Sequence, residues 1–130
     1  MVIDTSALVA IALREPERRV FGRAILLADR PRLSAANAVE FVAVYTGRRR
    51  QDDPLSVLDR LTGALRIETA PVDDAQWRAA ANALLRFGKG RHPARLNLGD
   101  SFAYALAKVT GEPLLFKGND FALTDIASAI

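Results

Sequence analysis

Four acidic side chains stand at positions along the chain where they could bind a ligand or move a proton. Asp4 directly follows a short apolar segment, and Asp120 follows a later apolar run after a three-residue turn. Asp100 lies where a helix is predicted to begin, and Glu40 lies in the first turn of another predicted helix. Ligands of open α/β sheets bind beyond the carboxyl ends of the strands, so Asp4 and Asp120 are placed as such ligand-binding groups are.

Each acid also has an ordinary structural explanation. Asp100 could be a helix N-cap, Asp120 could belong to a turn, and Glu40 could close a capping box with Asn37. Asp4 is the hardest to explain this way, because no local donor is obliged to satisfy its carboxylate unless the amides that follow fold back on it. Spacing alone therefore leaves open whether the four carboxylates meet.

The elements that would carry these residues alternate between strand and helix. Short apolar or β-branched segments predict strands at residues 2–3, 32–35, 66–69 and 113–116. Capping residues and apolar periodicity predict helices at about 6–14, 16–30, 37–47, 53–65, 74–87 and 99–110, with a last helical stretch after residue 120. This alternation predicts an α/β sandwich around a mainly parallel sheet, formed as one domain over residues 1–130.

The amino-acid composition excludes several classes of catalytic and metal-binding site. The chain has 130 residues, no cysteine and a single histidine, His92. This excludes disulfides, thiolate metal sites, cysteine nucleophiles and any mechanism that needs two imidazoles. The formal net charge of +3 permits a polyanionic partner. No apolar run approaches the length of a membrane span, so we expect a soluble, cytoplasmic protein that does not bind membranes.

Several segments, in order and with compatible spacing, resemble a PIN domain of the VapC toxin type. The similarity covers nearly the whole chain apart from about residues 48–72. The segments that carry it are MVIDTSAL at 1–8, NAVE at 37–40, GKGRHPARLNLGD at 88–100, LLFKGNDF at 114–121 and TDI at 124–126. The resemblance implies a PIN-like three-layer α/β/α sandwich and a metal-dependent endoribonuclease that acts as a toxin.

The resemblance also implies that the four acids form one catalytic, metal-binding pocket. Carboxylates gathered in this way repel one another, and oxygen ligands without His or Cys suit Mg²⁺ or Mn²⁺. Asp4 and Asp100 are expected to bind the metal directly, while Glu40 and Asp120 hold water or accept a proton. The supporting residues expected around this pocket are Ser6 or Thr5, Asn119 and Asp125.

Basic residues near these segments have two interpretations. Lys89, Arg91 and Arg95, with Lys117 before the Asp120 turn, could bind the RNA backbone or could simply be solvated surface charge. The same alternatives apply to the run Arg48–Arg50.

The resemblance further implies an RNA substrate, a VapB-type antitoxin and a homodimer. Two other functions remain open. A receiver-like phosphoacceptor domain would also use a carboxylate pocket and Mg²⁺, although its candidate acceptors, Asp52 and Asp53, precede Pro54 between predicted helices. A noncatalytic interaction or RNA-binding protein could keep the fold, but the intact acidic set argues against it.

Overall fold

The computed structural model describes residues 1–48 and 52–130. Arg49 and Arg50 of the basic run therefore lie outside the described residues. The centre of the protein is a sheet whose strands all run parallel in the order β3-β2-β1-β4. The strands are β1 (Val2–Ile3), β2 (Arg32–Ser34), β3 (Glu68–Ala70) and β4 (Leu114–Leu115).

Helices connect these strands, as parallel pairing requires. In the described part of the chain they are α1 (Thr5–Ala12), α2 (Arg18–Leu27), α3 (Ala35–Arg48), α4 (Pro54–Leu65), α5 (Asp74–Phe87) and α6 (Leu98–Thr110). A single 3₁₀ turn, Phe121–Leu123, replaces the predicted last helical stretch. None of the helices described in residues 1–48 and 52–130 combines the length and the apolar character needed to cross a bilayer.

The two faces of the sheet bury separate hydrophobic cores. Successive side chains of a strand point to opposite faces, so Ile3 and Leu115 pack in one cluster with α1 to α4. Val2 and Leu114 pack in the other cluster, with α5 and α6. Helices thus cover both faces, and the predicted three-layer α/β/α sandwich is confirmed.

Most element boundaries lie within a few residues of their predicted positions, and the exceptions have local causes. The strand predicted at 66–69 is displaced to Glu68–Ala70 because Arg66 ends α4 in the left-handed conformation, with φ of 55°. The helix predicted from residue 37 begins at Ala35, directly after β2, without an intervening turn. That early start places Glu40 in the second turn of α3.

Candidate active site

A cleft of about 450 Å³ opens at the carboxyl ends of the central strands, and all four acidic residues singled out from the sequence line it. Asp4 follows β1, and Asp120 lies in the loop after β4. Glu40 is carried by α3, which follows β2, and Asp100 lies in the first turn of α6. The strands end at one edge because they are parallel, so segments far apart in the sequence contribute to one surface.

Asp4 is the most buried of these acids and is the N-cap of α1. Its Oδ2 accepts hydrogen bonds from the Ser6 amide at 2.8 Å and the Ser6 hydroxyl at 2.5 Å. Its Oδ1 is buried and has no hydrogen-bond partner. Burial raises the pKa of Asp4 to about 7, and the negative charges of Asp100 and Glu40 act in the same direction. A cation at this oxygen would therefore stabilise the ionised form.

Glu40 is held by two polar side chains at one of its oxygens. Thr5 Oγ1 donates to Glu40 Oε2 at 2.5 Å, and Asn37 Nδ2 donates to the same oxygen at 2.9 Å. The alternative of an Asn37–Glu40 capping box is wrong, because α3 begins before Asn37 and the two side chains bond to each other. Asn37 is fully buried, so this pair lies inside the protein and fixes the carboxylate from the core side.

Asp100 belongs to a capping box at the start of α6, but it is not the N-cap. Asn97 is the N-cap, and its Oδ1 accepts the Asp100 amide at 2.9 Å. In return, Asp100 Oδ2 accepts the Asn97 amide at 2.7 Å. Burial raises the pKa of Asp100 to about 6, and the charges of Glu40 and Asp120 add to this rise. The box fixes the orientation of the carboxylate at the cleft wall.

Asp120 differs from the other three acids because it is exposed and makes no capping hydrogen bond. Its negative charge nevertheless contributes to the raised pKa of Asp100. The neighbouring Asn119 is also exposed, but it does not line the cleft. Asp120 is therefore the side chain of this pair that reaches the site.

Ser6 and Thr5 have separate tasks, which the sequence alone did not distinguish. Ser6 bonds to Asp4, and the backbone amide of Lys117 donates to Ser6 Oγ at 2.9 Å. Thr5 bonds to Glu40 instead. Sequence reasoning missed the Lys117 amide as a donor to Ser6 and the Asn37 side chain as a donor to the Gly99 carbonyl, because both contacts join distant parts of the chain.

Asp125 does not support this cleft, contrary to expectation. Its carboxylate accepts from Tyr104 Oη at 2.7 Å, Lys108 Nζ at 3.0 Å and Arg86 Nη1 at 3.1 Å. These partners compensate its charge, and the Tyr104 hydroxyl is the largest cause of the lowered pKa of Asp125. Asp125 therefore joins the 3₁₀ turn region to α5 and α6.

The basic residues form two separate groups. Lys117 and Arg48 line the cleft together with Glu15. Glu15 pairs with Lys117 Nζ at 2.7 Å and with Arg48 Nη1 at 3.5 Å, and Glu17 pairs with Lys117 Nζ at 3.0 Å.

The second basic group surrounds a different depression. Its members are exposed or half-buried side chains of the loop between α5 and α6: Lys89, Arg91, His92 and Arg95. None of its arginine or lysine side chains has an ion-pair partner within residues 1–48 and 52–130. This loop therefore presents uncompensated positive charge outside the acidic cleft.

The donor set of the cleft fits a hard divalent cation. Among the described residues, no group of three or more histidine or acidic side chains could hold a metal ion as they are arranged. Mg²⁺ needs fewer, since it commonly binds one or two carboxylates and keeps several waters. The buried, unpartnered Oδ1 of Asp4 and the mutual repulsion around Asp100 are both features that such a cation would relieve.

Comparison with known proteins agrees with this geometry. The family model for the PIN domain matches residues 1–127. Ribonuclease VapC42 of Mycobacterium tuberculosis is 47% identical over 130 residues, covering 99% of this chain and 98% of the relative. Ribonuclease VapC of Mycolicibacterium smegmatis is 46% identical over 130 residues, covering 98% of both chains.

A solved structure shows the same fold. The crystal structure of VapC20 from M. tuberculosis, described as a toxin that cleaves the sarcin–ricin loop, superposes with a TM-score of 0.76 at 13% sequence identity. The alignment covers 97% of this chain and 95% of VapC20. The chain belongs to the PIN-domain family, and within that family it is a member of the VapC ribonucleases.

Proposed function

We propose that the protein is a metal-dependent endoribonuclease that hydrolyses RNA phosphodiester bonds as the toxin of a VapBC-type pair. The observation that carries this proposal is the meeting of four carboxylates, from four separate segments, in one cleft with a buried oxygen that lacks a partner. The names of the relatives, which are VapC ribonucleases, support the same reaction.

Asp4 and Asp100 are the proposed direct ligands of Mg²⁺ or Mn²⁺. When bound, such a cation lowers the pKa of a coordinated water and offsets negative charge on the phosphate. Ser6 holds the Asp4 carboxylate, and Asn97 holds that of Asp100, so both are oriented before RNA arrives. This preorganisation avoids reorganisation during the reaction.

Glu40 and Asp120 are the proposed proton-accepting or water-holding groups. Thr5 and Asn37 both donate to Glu40 Oε2, and no hydrogen bond within the described residues occupies Oε1. Oε1 can therefore take a proton from water, or hold that water, while Oε2 keeps the side chain in place. Asp120 is exposed at the cleft and can exchange protons with solvent.

The proposed hydrolysis leaves a 5′-phosphate and a 3′-hydroxyl and does not use the ribose 2′-hydroxyl as the nucleophile. Preference for RNA must then arise from binding and shape. We propose that Arg48 and Lys117 at the cleft contact backbone phosphates near the cut site. The cations of the loop at 89–95 would contact phosphates farther away.

The partners are also part of this proposal. The relatives are VapC proteins, so we propose a VapB-type antitoxin and a homodimer. Light scattering of the purified chain at micromolar concentration tests the dimer, and copurification with the product of a neighbouring gene tests the antitoxin.

The receiver-like alternative finds no support at its candidate acceptors. Asp52 accepts a hydrogen bond from Tyr45 Oη at 3.0 Å, and Asp53 caps α4. Neither follows a strand, whereas a phosphoacceptor aspartate stands at a strand end. We therefore expect no labelling by a small phosphodonor.

An RNA-cleavage assay in Mg²⁺ buffer tests the proposed reaction. Asp100→Asn should lower kcat by about 10³-fold, because loss of a metal ligand removes several kcal/mol of transition-state stabilisation. EDTA should abolish cleavage by the parent. Asp59→Asn, an exposed position on α4, is the matched control and should cut at the parental rate. Parental activity in Asp100→Asn, or in EDTA, would overturn the proposal.

A further inference from the structure

Gly99, the residue before Asp100, lies against the Glu40 carboxylate. A Cβ atom built on Gly99 would stand 1.8 Å from Glu40 Oε1 and 2.0 Å from Glu40 Cδ. Non-bonded carbon and oxygen atoms need more than 3 Å, so no side chain at position 99 can coexist with Glu40 in this position. The carboxylate occupies the volume that a side chain would otherwise fill.

The backbone itself does not require glycine here. Gly99 is in the first turn of α6 and has helical geometry, whereas Gly90 and Gly118 have φ of 83° and 100°. Helical geometry is available to every residue except proline, and alanine favours it more than glycine does. The requirement for glycine at 99 is therefore one of space alone.

Gly99 also shares a donor with the carboxylate that it accommodates. Asn37 Nδ2 donates to the Gly99 carbonyl at 3.0 Å and to Glu40 Oε2 at 2.9 Å. Glu40 is thus held between Asn37 and Thr5 on one side and the bare Cα of Gly99 on the other. The next residue along α6 is Asp100, so the glycine that accommodates Glu40 adjoins a second carboxylate of the cleft.

We propose that Gly99 is a positioning residue of the active site, whose missing side chain forms the seat of the Glu40 carboxylate. The inference rests on the proposed function, since it assumes that Glu40 acts in the reaction. An added methyl group would meet only the end of a flexible side chain. Alanine at 99 therefore displaces Glu40 from Thr5 and Asn37 while α6 and the fold stay intact.

The first test compares Gly99→Ala with Gly63→Ala. Gly63 is an exposed glycine of α4, and a Cβ there meets nothing within 4 Å. Gly99→Ala should lower kcat by about 100-fold, the scale of a misplaced reacting group, and leave KM for RNA within about twofold. Its melting temperature should change little, because the helix propensity of alanine offsets part of the cost of the two hydrogen bonds that Glu40 loses. Gly63→Ala should match the parent in kcat and KM.

Three results of this comparison would overturn the proposal: a parental kcat in Gly99→Ala, a loss confined to KM, or loss of the cooperative thermal unfolding transition. The last result would mean that position 99 supports the fold and not the carboxylate.

A double-mutant cycle asks whether Gly99 acts through Glu40. In a Glu40→Ala background there is no carboxylate to displace, so adding Gly99→Ala should leave the residual kcat unchanged within about twofold. A further loss of about 100-fold would show that position 99 affects catalysis by another route, and would contradict the proposal that Gly99 acts by positioning Glu40.

An NMR readout separates this inference from the proposed function. The side-chain amide signals of Asn37 report its hydrogen bond to Glu40 and need no activity. They should shift in Gly99→Ala and stay in place in Gly63→Ala. Shifted signals with parental activity in Glu40→Ala would leave the seat standing and overturn the catalytic role of Glu40. Unshifted Asn37 signals in Gly99→Ala would show that Gly99 does not position the Glu40 carboxylate.

Discussion

The two sides of the cleft are built differently. The inner wall, formed by Asp4, Thr5 and Glu40, is buried or half-buried, and hydrogen bonds from Ser6, Thr5 and Asn37 hold its two carboxylates. The rim, formed by Glu15, Arg48, Lys117 and Asp120, is more exposed, and ion pairs join Glu15 to Arg48 and Lys117. Salt and solvent weaken exposed ion pairs but scarcely affect buried hydrogen bonds. The inner wall is therefore suited to chemistry, and the rim to exchanging its partners for RNA phosphates.

The largest expected effect is on the pH dependence of stability, and it concerns Asp4. Below about pH 4 its carboxyl is protonated in both the folded and the unfolded protein. Between that pH and 7 the unfolded chain releases a proton that the fold retains, because burial raises the pKa of Asp4 from 3.8 to about 7. The free energy of unfolding of the metal-free protein should fall by on the order of 4 kcal/mol over this range.

Urea unfolding in EDTA at pH 5 and pH 8 measures this effect. Asp4→Asn removes the ionisable group, so the variant should be inactive yet more stable than the parent at pH 8. The difference should shrink at pH 5. Mg²⁺ should stabilise the parent and not the variant. Lower stability of Asp4→Asn at pH 8 would contradict the raised pKa.

The next effect concerns Thr5 on the inner wall. Thr5→Val keeps the shape of the side chain and removes the hydroxyl that donates to Glu40. We expect kcat to fall by about 10- to 100-fold, as for other groups that orient catalytic ligands. Thr5→Ser retains the hydroxyl and should recover most of the activity. Equal kcat values for the valine and serine variants would show that the hydrogen bond is dispensable.

A smaller effect is expected at the rim. Lys117→Gln removes a cation that we propose contacts phosphate but keeps the backbone amide that donates to Ser6. KM for RNA should rise a few-fold with kcat nearly unchanged, and the salt dependence of binding should lose about one unit of slope. Lys108→Gln, whose lysine pairs with Asp125, is the matched control. A drop in kcat without a change in KM would place Lys117 in the chemistry.

Glu15→Gln should act in the opposite direction at the same rim. Glu15 is the carboxylate that occupies both Lys117 and Arg48. Its neutralisation removes the carboxylate that pairs with Arg48 and leaves Lys117 with Glu17 as its partner, so RNA should bind a few-fold more tightly. Glu17 pairs with Lys117 alone, so Glu17→Gln should have a weaker effect. Weaker RNA binding by Glu15→Gln would show that the ion pairs position the cations instead of competing with phosphate.

The smallest effect is expected at the loop outside the cleft. Neutralising Lys89, Arg91 and Arg95 together should flatten the salt dependence of binding for long RNA. A short oligonucleotide that spans only the cleft should bind the variant as it binds the parent. An unchanged slope with long RNA would remove this loop from the RNA path.

The sequence was sufficient to predict the fold class and, to within one residue, the ends of β1 and β4, because both follow from local patterns. Asp4 and Asp120 were recognisable as residues that follow apolar strands. The contacts that hold the site were not recognisable in this way. Asn37 bonds to Gly99 across 62 positions, and no periodicity reports such a contact.

Two side-chain roles could not be determined from the sequence, for related physical reasons. Asp125 was expected to support the acidic pocket, but its tyrosine and lysine partners on α6 determine its position. For Asp100 the sequence left a helix N-cap open as an alternative to a catalytic role, and Asn97 is the N-cap instead. In both cases the deciding partner is a side chain that is near in space and that sequence patterns do not single out.

The link from the Lys117 main chain to Ser6 has an evolutionary consequence. The donor is an amide that every residue except proline possesses, so the side chain at 117 can change while Asp4 keeps its orientation. Selection can therefore alter the affinity for RNA at this position without lowering turnover. Related toxins could thus differ in how tightly they bind RNA while the catalytic carboxylates keep the same orientation.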